Sequence, residues 1–184
     1  MGIPARWIRL GPSGGREIRA ASIGLATSQP RRSVPILLWS RANTAIAGDL
    51  LNVEEGHFAF VLIAPLLVAP GRRSRWCAWG LAPALATYRQ FGVRAYLDED
   101  AVCLNGRRIA AAGALAIGGC ALVAGSFLPR RPKALDGWVE RDLEGAFRER
   151  IEAQYGWEFE NSWPSAAEHA AIADALAEEL ADAK

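Results

Sequence analysis

Cysteine is scarce in this sequence, and the three present, Cys77, Cys103 and Cys120, are odd in number and form no C-x-x-C pair. A disulfide framework and a zinc knuckle are therefore not expected, and a reducing compartment is the simplest setting. Net charge is nearly absent as well: 21 Lys and Arg against 20 Asp and Glu leave +1, which supplies no global field for nucleic acid. The opening residues MGIPARWIRLGPSGGREIR contain no apolar h-region, so a secretory signal is not expected. Arg6 stands where a myristoylation motif has Ser or Thr. The turn Gly11-Pro12-Ser13-Gly14-Gly15 lacks the G-x-x-x-x-G-K-[ST] pattern that cradles phosphates. These absences predict a cytoplasmic protein with no nucleic-acid partner, no membrane anchor and no dedicated metal site.

What is present is a core. At 184 residues, 51% hydrophobic and with seven Trp, the chain is long enough to fold as one domain, residues 1–184. Arg6 to Leu10 reads as a strand and Arg16 to Thr27 as a helix through Ile18, Ala21, Ser22 and Leu25, stopped by Gln29-Pro30. Val34 to Ser40 is a continuous apolar strand, with Asn43 to Gly48 as its neighbour and Phe58 to Val68 as the next. A helix is predicted from about Leu81 to Gln90 with Pro83 in its first turn, then a strand from Val93 to Leu97. Val139, Leu143, Phe147, Ile151 and Tyr155 recur every fourth residue after a candidate cap at Asp136, and Gly156 ends that helix. Ser165-Ala166-Ala167-Glu168 is a capping box ahead of the stripe Ile172, Leu176 and Leu180.

The central stretch runs from Asp98 to Pro129. Asn105-Gly106 lies between Ala101–Leu104 and Arg107–Ala110, and both turn residues tolerate the positive φ of a tight hairpin. No charge follows from Ile109 to Leu128, a span close to the roughly 20 residues that cross a bilayer. The composition argues instead for two buried strands joined at Gly118-Gly119, because Ala and Gly are thin in lipophilicity and Arg pairs at both ends give no orientation. The arginines are grouped at Arg31-Arg32, Arg72-Arg73-Arg75, Arg107-Arg108 and Arg130-Arg131, as solubilising strand ends or jointly around an anionic pocket. His57 beside Glu54 and Glu55 reads as a solvated loop in preference to a metal or acid-base cluster, and His169 as a surface residue.

Asn105-Gly106-Arg107-Arg108-Ile109-Ala110-Ala111, followed by Gly119-Cys120-Ala121-Leu122-Val123-Ala124-Gly125-Ser126-Phe127-Leu128, resembles the biotin and lipoate protein ligase family, which includes the octanoyl transferases. That family has an N-G-R-K-I-A-G hairpin and then a strand ending H-G-S-L-L. The resemblance extends in order and spacing over roughly Val34 to Leu180. It implies an α+β fold, a mixed β-sheet flanked by helices like the class II synthetase-like ligase core. It implies lipoate, octanoate or biotin as ligand, with ATP and its Mg²⁺ as a further option, and a lipoyl or biotinyl carrier domain or a second ligase subunit as partner. By position, Arg108 takes the place of the catalytic lysine, and Asn105, Gly106, Arg107, Ala110 and Gly125 become the candidate cofactor-binding residues.

The sequence also departs from the family. Arg108 replaces the lysine, Ala111 the glycine after it and Ala124 the histidine before Gly-Ser. The family's R-R-x-x-G-G-G-x-V-x-H loop, which holds the cofactor carboxylate and adenylate phosphate, has no counterpart in the nine residues Asp49 to His57, which reach about 30 Å even fully extended. Arginine keeps the lysine's charge but delivers it through a planar fork. Cys120 is an alternative acyl-transfer nucleophile. Two functions follow: a divergent ligase or acyltransferase that passes an acyl cofactor to a carrier lysine, or a non-catalytic relative that binds an acyl ligand or carrier domain as a regulatory or scaffold subunit. They divide on whether a sheet-face groove ends at Arg108 or is filled by Trp76 and Trp79.

Overall fold

The computed structural model describes residues 2–29, 33–127 and 140–181, and every structural statement below concerns these. The expectations for Pro30, Arg31-Arg32, Leu128, Arg130-Arg131, Asp136 and Val139 lie outside the described residues.

Four helices pack on a mixed sheet. In chain order the elements are β1 (Ile3–Arg9), β2 (Ser13–Gly14), α1 (Gly15–Ser28), β3 (Ile36–Thr44), β4 (Phe58–Pro65), α2 (Trp76–Gln90), β5 (Tyr96–Asp98), β6 (Ala101–Leu104), β7 (Arg107–Ile117), β8 (Cys120–Phe127), α3 (Glu140–Tyr155), β9 (Trp157–Ser162) and α4 (Ala166–Ala181). The sheet runs β5-β6-β7-β8-β4-β3-β1-β9, with the short β2 beside β3. β3, β4, β8, β7, β6 and β5 pair antiparallel in succession, whereas β1 is parallel to both β3 and β9. This is the expected α+β architecture.

Each face of the sheet has its own core. On one face Trp7, Trp39, Phe58, Phe60, Val123 and Phe127 meet Leu81, Ala84 and Tyr88 of α2 and Leu143, Phe147 and Ile151 of α3. On the other face Ile8, Ile36, Leu38, Val61, Ile63 and Leu122 meet Ile18, Ala21 and Leu25 of α1, with Ile172 of α4 packed against them. Burial on both faces is why β4 and β8 read as unbroken apolar runs and not as alternating strands. The run from Ile109 is therefore two strands of this sheet, and no helix among the described residues is long and apolar enough to cross a membrane.

The turns follow their residues. Asn105 and Gly106 have φ of 51° and 73°, the two positive angles of a type I′ hairpin, and Gly118 and Gly119 at 58° and 82° close the β7–β8 hairpin the same way. The capping box at α4 forms, with Ser165 N donating to Glu168 Oε2 at 2.7 Å and Glu168 N to Ser165 Oγ at 3.3 Å.

Three expectations are corrected, and one strand is new. Asn43 to Gly48 is not a separate strand: Asn43 and Thr44 finish β3, and beyond them only the Ile46–Val53 bridge forms. α2 begins at Trp76, so Pro83 lies in its interior. The cost of a missing N–H there is offset, because the Trp79 carbonyl that Pro83 leaves free accepts the Tyr155 hydroxyl from α3. β9 has no counterpart in the sequence reading, although Trp157-Glu158-Phe159-Glu160 alternates apolar and charged residues at the strand period. His57 is buried, not solvated.

Candidate functional site

β7 and β8 are the floor of the site. Their register pairs Gly113 with Ala124 and Ala111 with Ser126. Ala124 faces the α1 side with Leu122, whereas Gly125 has its α-carbon on the α2–α3 side, where a side chain would overlap the Phe60 ring. The β6–β7 hairpin carries a bulge between Val102 and Cys103, so that Cys103 faces Arg108 and Val102 faces Ala110. Ile109 is the extra residue and shares the α2–α3 core with Ala110.

Residues 45–57 lie down on this floor. The Ile46–Val53 bridge closes them into a narrow loop whose Leu50, Leu51 and Val53 are buried in the α1-side core. Ser126 Oγ donates to the Asn52 carbonyl at 2.9 Å and fastens the loop to β8. A Cβ on Gly113 would overlap the Asp49 carbonyl oxygen and stand 2.5 Å from that of Leu50, so only glycine lets the loop backbone come this close.

Between loop and floor remains a cavity of about 270 Å³, lined by Gly48, Asp49, Leu50 and Asn52 from the loop, Asp100 and Arg108 from the hairpin, and Ala111, Ala112, Gly113 and Ala124 from the floor. Its lining combines the apolar Leu50, Ala111, Ala112 and Ala124 with the charged Asp49, Asp100 and Arg108. Arg108 Nη2 lies 3.3 Å from Asp100 Oδ1, and both side chains are about half exposed, at 60% and 48%. Asp49, itself exposed, also lines it, and its backbone carbonyl oxygen lies against Gly113.

Arg108 is among the residues that line the cavity. Trp76 and Trp79 do not fill it, because both pack with α2 on the opposite face. Of the other residues singled out in the sequence, Asn105 and Gly106 form the hairpin tip, Arg107 is exposed beside it, and Ala110 and Gly125 serve the opposite core. None of these five lines the cavity. The three positions of departure, Arg108, Ala111 and Ala124, do line it together. Asp49, Leu50 and Asn52 lie in the nine-residue stretch that the sequence reading marked as too short for the family's loop, but none of them was named there as a site residue.

Two other candidates are accounted for by burial. Cys120 is 2% exposed and sits at the Ile117 end of β8, and burial pushes its thiol up, which disfavours the thiolate a nucleophile needs. His57 is held neutral by burial, which outweighs the opposing charge of Glu54 3.8 Å away, and Glu54 N donates to its Nδ1 at 3.3 Å. No group of His, Cys, Asp or Glu among the described residues is arranged to hold a metal ion.

Comparison with solved structures places this architecture. A bi-partite lipoate protein ligase from Thermoplasma acidophilum, studied with its E2 lipoyl domain, superposes with a TM-score of 0.81 at 12% identity over 96% of this chain and 93% of that one. A putative lipoate protein ligase of the same organism with bound lipoic acid gives 0.79 at 11%, covering 96% of each chain. The chain has the fold of the biotin and lipoate protein ligases. A biotin protein ligase from Aquifex aeolicus in complex with biotin and ATP aligns less fully, with a TM-score of 0.57 at 12% identity over 82% of this chain and 70% of that one. No protein-family description and no curated protein matches the sequence itself.

On this ligase fold, the residues present do not suit an acyl-adenylate. Developing negative charge at phosphate and carbonyl needs converging donors, yet Arg108, the only cation among the described residues that line the cavity, is already paired with Asp100. The volume is also below the roughly 300 Å³ at which ligand pockets usually begin.

Proposed function

We propose that this chain is a non-catalytic relative of the lipoate ligases, a subunit that holds an acyl group in the cavity at Arg108 and works beside a carrier domain or a second ligase subunit. The observation that carries this reading is the loop 45–57, seated with its backbone on Gly113 and standing, by the sequence resemblance, in place of the family's longer cofactor loop. It leaves a cavity of about 270 Å³, in which we place a short acyl chain. Two further observations agree with it: Arg108 is engaged by Asp100, and the fuller superposition is with lipoate ligases, one of them bi-partite. The cytoplasm fits such a subunit.

The test is the mass of a lipoyl carrier domain incubated with this protein, lipoate or octanoate, and ATP. The expected mass is unchanged. A mass increase with this protein alone overturns the reading and makes the chain a ligase. The second reading, half of a split enzyme, draws on the convergence of Arg108, Ala111 and Ala124 on one cavity. Under that reading the carrier gains mass only when a second subunit is added. Intact-mass measurement of the protein as purified reports any acyl species already held.

A further inference from the structure

We infer that the loop joining β4 to α2, residues 66–75, docks the protein on the surface of an anionic lipid bilayer by means of two leucines and three arginines. It is separate from the cavity and independent of what the cavity holds.

The sequence around this loop carries charge of one sign. From Phe58 to Leu97 there are five Arg and no Asp or Glu. Three of the five, Arg72, Arg73 and Arg75, are exposed in the loop, and none of them forms an ion pair with a described residue. They lead into the first turn of α2, which has no acidic residue to oppose them. Positive side chains in that place add to the positive end of the helix dipole, a repulsion that an anionic surface relieves.

Leu66 and Leu67 are 47% and 92% exposed, although the loop is held in place. Val68 N and Ala69 N donate to the Pro65 carbonyl at 2.8 and 3.2 Å, Leu66 N to the Gly119 carbonyl at 3.2 Å, and Trp76 Nε1 to the Pro70 carbonyl at 2.7 Å. This turn buries Ala69 in the α2–α3 core with Val68 packed against it, and presents the two leucines outward. Val34, also exposed, stands at the same end of the sheet, because Ile36 at the start of β3 pairs with Ile63 near the end of β4. Single exposed apolar side chains are ordinary, but a group of them beside unpaired cations marks a contact surface.

A bilayer suits this chemistry better than an acidic protein does. Protein contacts concentrate their binding energy in Trp, Tyr and Arg and use Leu little, whereas interfacial membrane contacts combine Leu with surrounding Lys or Arg. A fluid surface also opens around a projecting side chain such as Leu67, where a folded partner needs a matching pocket. The apolar and cationic groups together supply the two signals that reversible attachment takes, with no spanning segment. Towards β9 the same end of the sheet turns acidic, since Glu158 accepts from Gly2 N, and this confines the face to β3, β4 and the loop. The cavity is at the far end: Ala124 lies four residues along β8 from Cys120, the partner of Pro65, and loop 45–57 enters β4 at Phe58.

Co-sedimentation of the whole chain with sucrose-loaded vesicles tests the inference. The protein is expected to pellet with vesicles of equal parts phosphatidylcholine and phosphatidylglycerol and not with phosphatidylcholine alone, and added salt should weaken the binding by screening. Leu67→Ser changes a side chain that stands in water, so the thermal melt should stay the same while vesicle binding weakens about tenfold. Each of Arg72→Gln, Arg73→Gln and Arg75→Gln should weaken binding about fivefold, the contribution of one basic residue near an anionic surface. Absence of binding to the mixed vesicles overturns the inference, as does equal binding to phosphatidylcholine alone. Arginine variants that abolish binding while Leu67→Ser leaves it unchanged overturn it too, and assign the loop to an acidic protein surface.

Discussion

The two faces of the sheet differ in kind. The α2–α3 face is aromatic and interlocked: Phe147 lies within 4.7 Å of Phe60, 5.4 Å of Phe127 and 5.8 Å of Trp39 between ring centroids. The α1–α4 face is built from Ala, Val, Leu and Ile and ends in a glycine floor under a loop. Large rings give dispersion and area, and they hold the strands in place. Small residues give room, and the cavity is on their side. The difference is a fold that gathers its rings on one face and leaves a cavity on the other.

The largest effect should come from the aromatic face. Phe147 is fully buried, and Phe147→Ala is expected to cost about 3–5 kcal/mol in chemical denaturation. A loss below about 1 kcal/mol would show that α3 is not part of the core and dissolve the contrast.

Next is the junction that ties α4 to the sheet. Arg6 of β1 donates to both oxygens of Glu168, at 2.5 and 3.0 Å, and also to Ser162 Oγ and the Trp163 carbonyl, while Gln29 adds a third contact to the carboxylate. Burial raises the Glu168 pKa, but the bonds from Arg6, Ser165 and Gln29 outweigh it and hold the carboxyl at about 2, below its ordinary 4.5. A depressed carboxyl stabilises the fold fully above about pH 4.5 and loses that contribution as pH falls towards 2. The shift corresponds to about 3 kcal/mol. Glu168→Gln should lower stability at pH 7 by a similar amount and flatten the acid limb of stability against pH. A variant with the wild-type acid limb would assign the dependence to other groups.

The site face should respond less in stability and more in shape. Gly113→Val forces the loop off the floor, at about 1–3 kcal/mol, and should expose residues 45–57 to hydrogen exchange while β3 and β4 remain protected. Protection spreading unchanged through the loop would mean that it does not depend on the glycine.

Much of this was legible in the chain. Periodicity and turn chemistry gave α1, β4, α3, the Asn105-Gly106 hairpin and the Gly118-Gly119 joint, because local pattern and tertiary burial agree there. The sequence reading failed where tertiary contacts override local rules. Pro83 sits inside α2 because Tyr155, 72 positions later, takes up the orphaned carbonyl, and His57 is buried because the loop folds back over its strand. The site was half legible. Arg108, Ala111 and Ala124 were marked by their place in a motif, whereas Asp49 and Asp100 belong to the site only through the register and the loop's descent onto Gly113.

The smallest expected effect is the most informative. Arg108→Lys restores the family's residue type at an exposed ion pair, so stability should move by less than about 0.5 kcal/mol. Activity should not move at all: carrier mass with lipoate or octanoate and ATP is expected to stay unchanged. The reason is that a lysine supplies one donor, and one oxyanion donor accounts for about 100- to 1,000-fold in rate. The glycine and histidine positions remain Ala111 and Ala124, and the loop that would bring several donors is replaced by one whose backbone lies on Gly113. Groups acting as a unit are grossly non-additive, so a single restored member returns little of the whole. Carrier acylation appearing only after Arg108→Lys would make the two faces equal partners in a working ligase, with the lysine as the one missing part and the short loop dispensable.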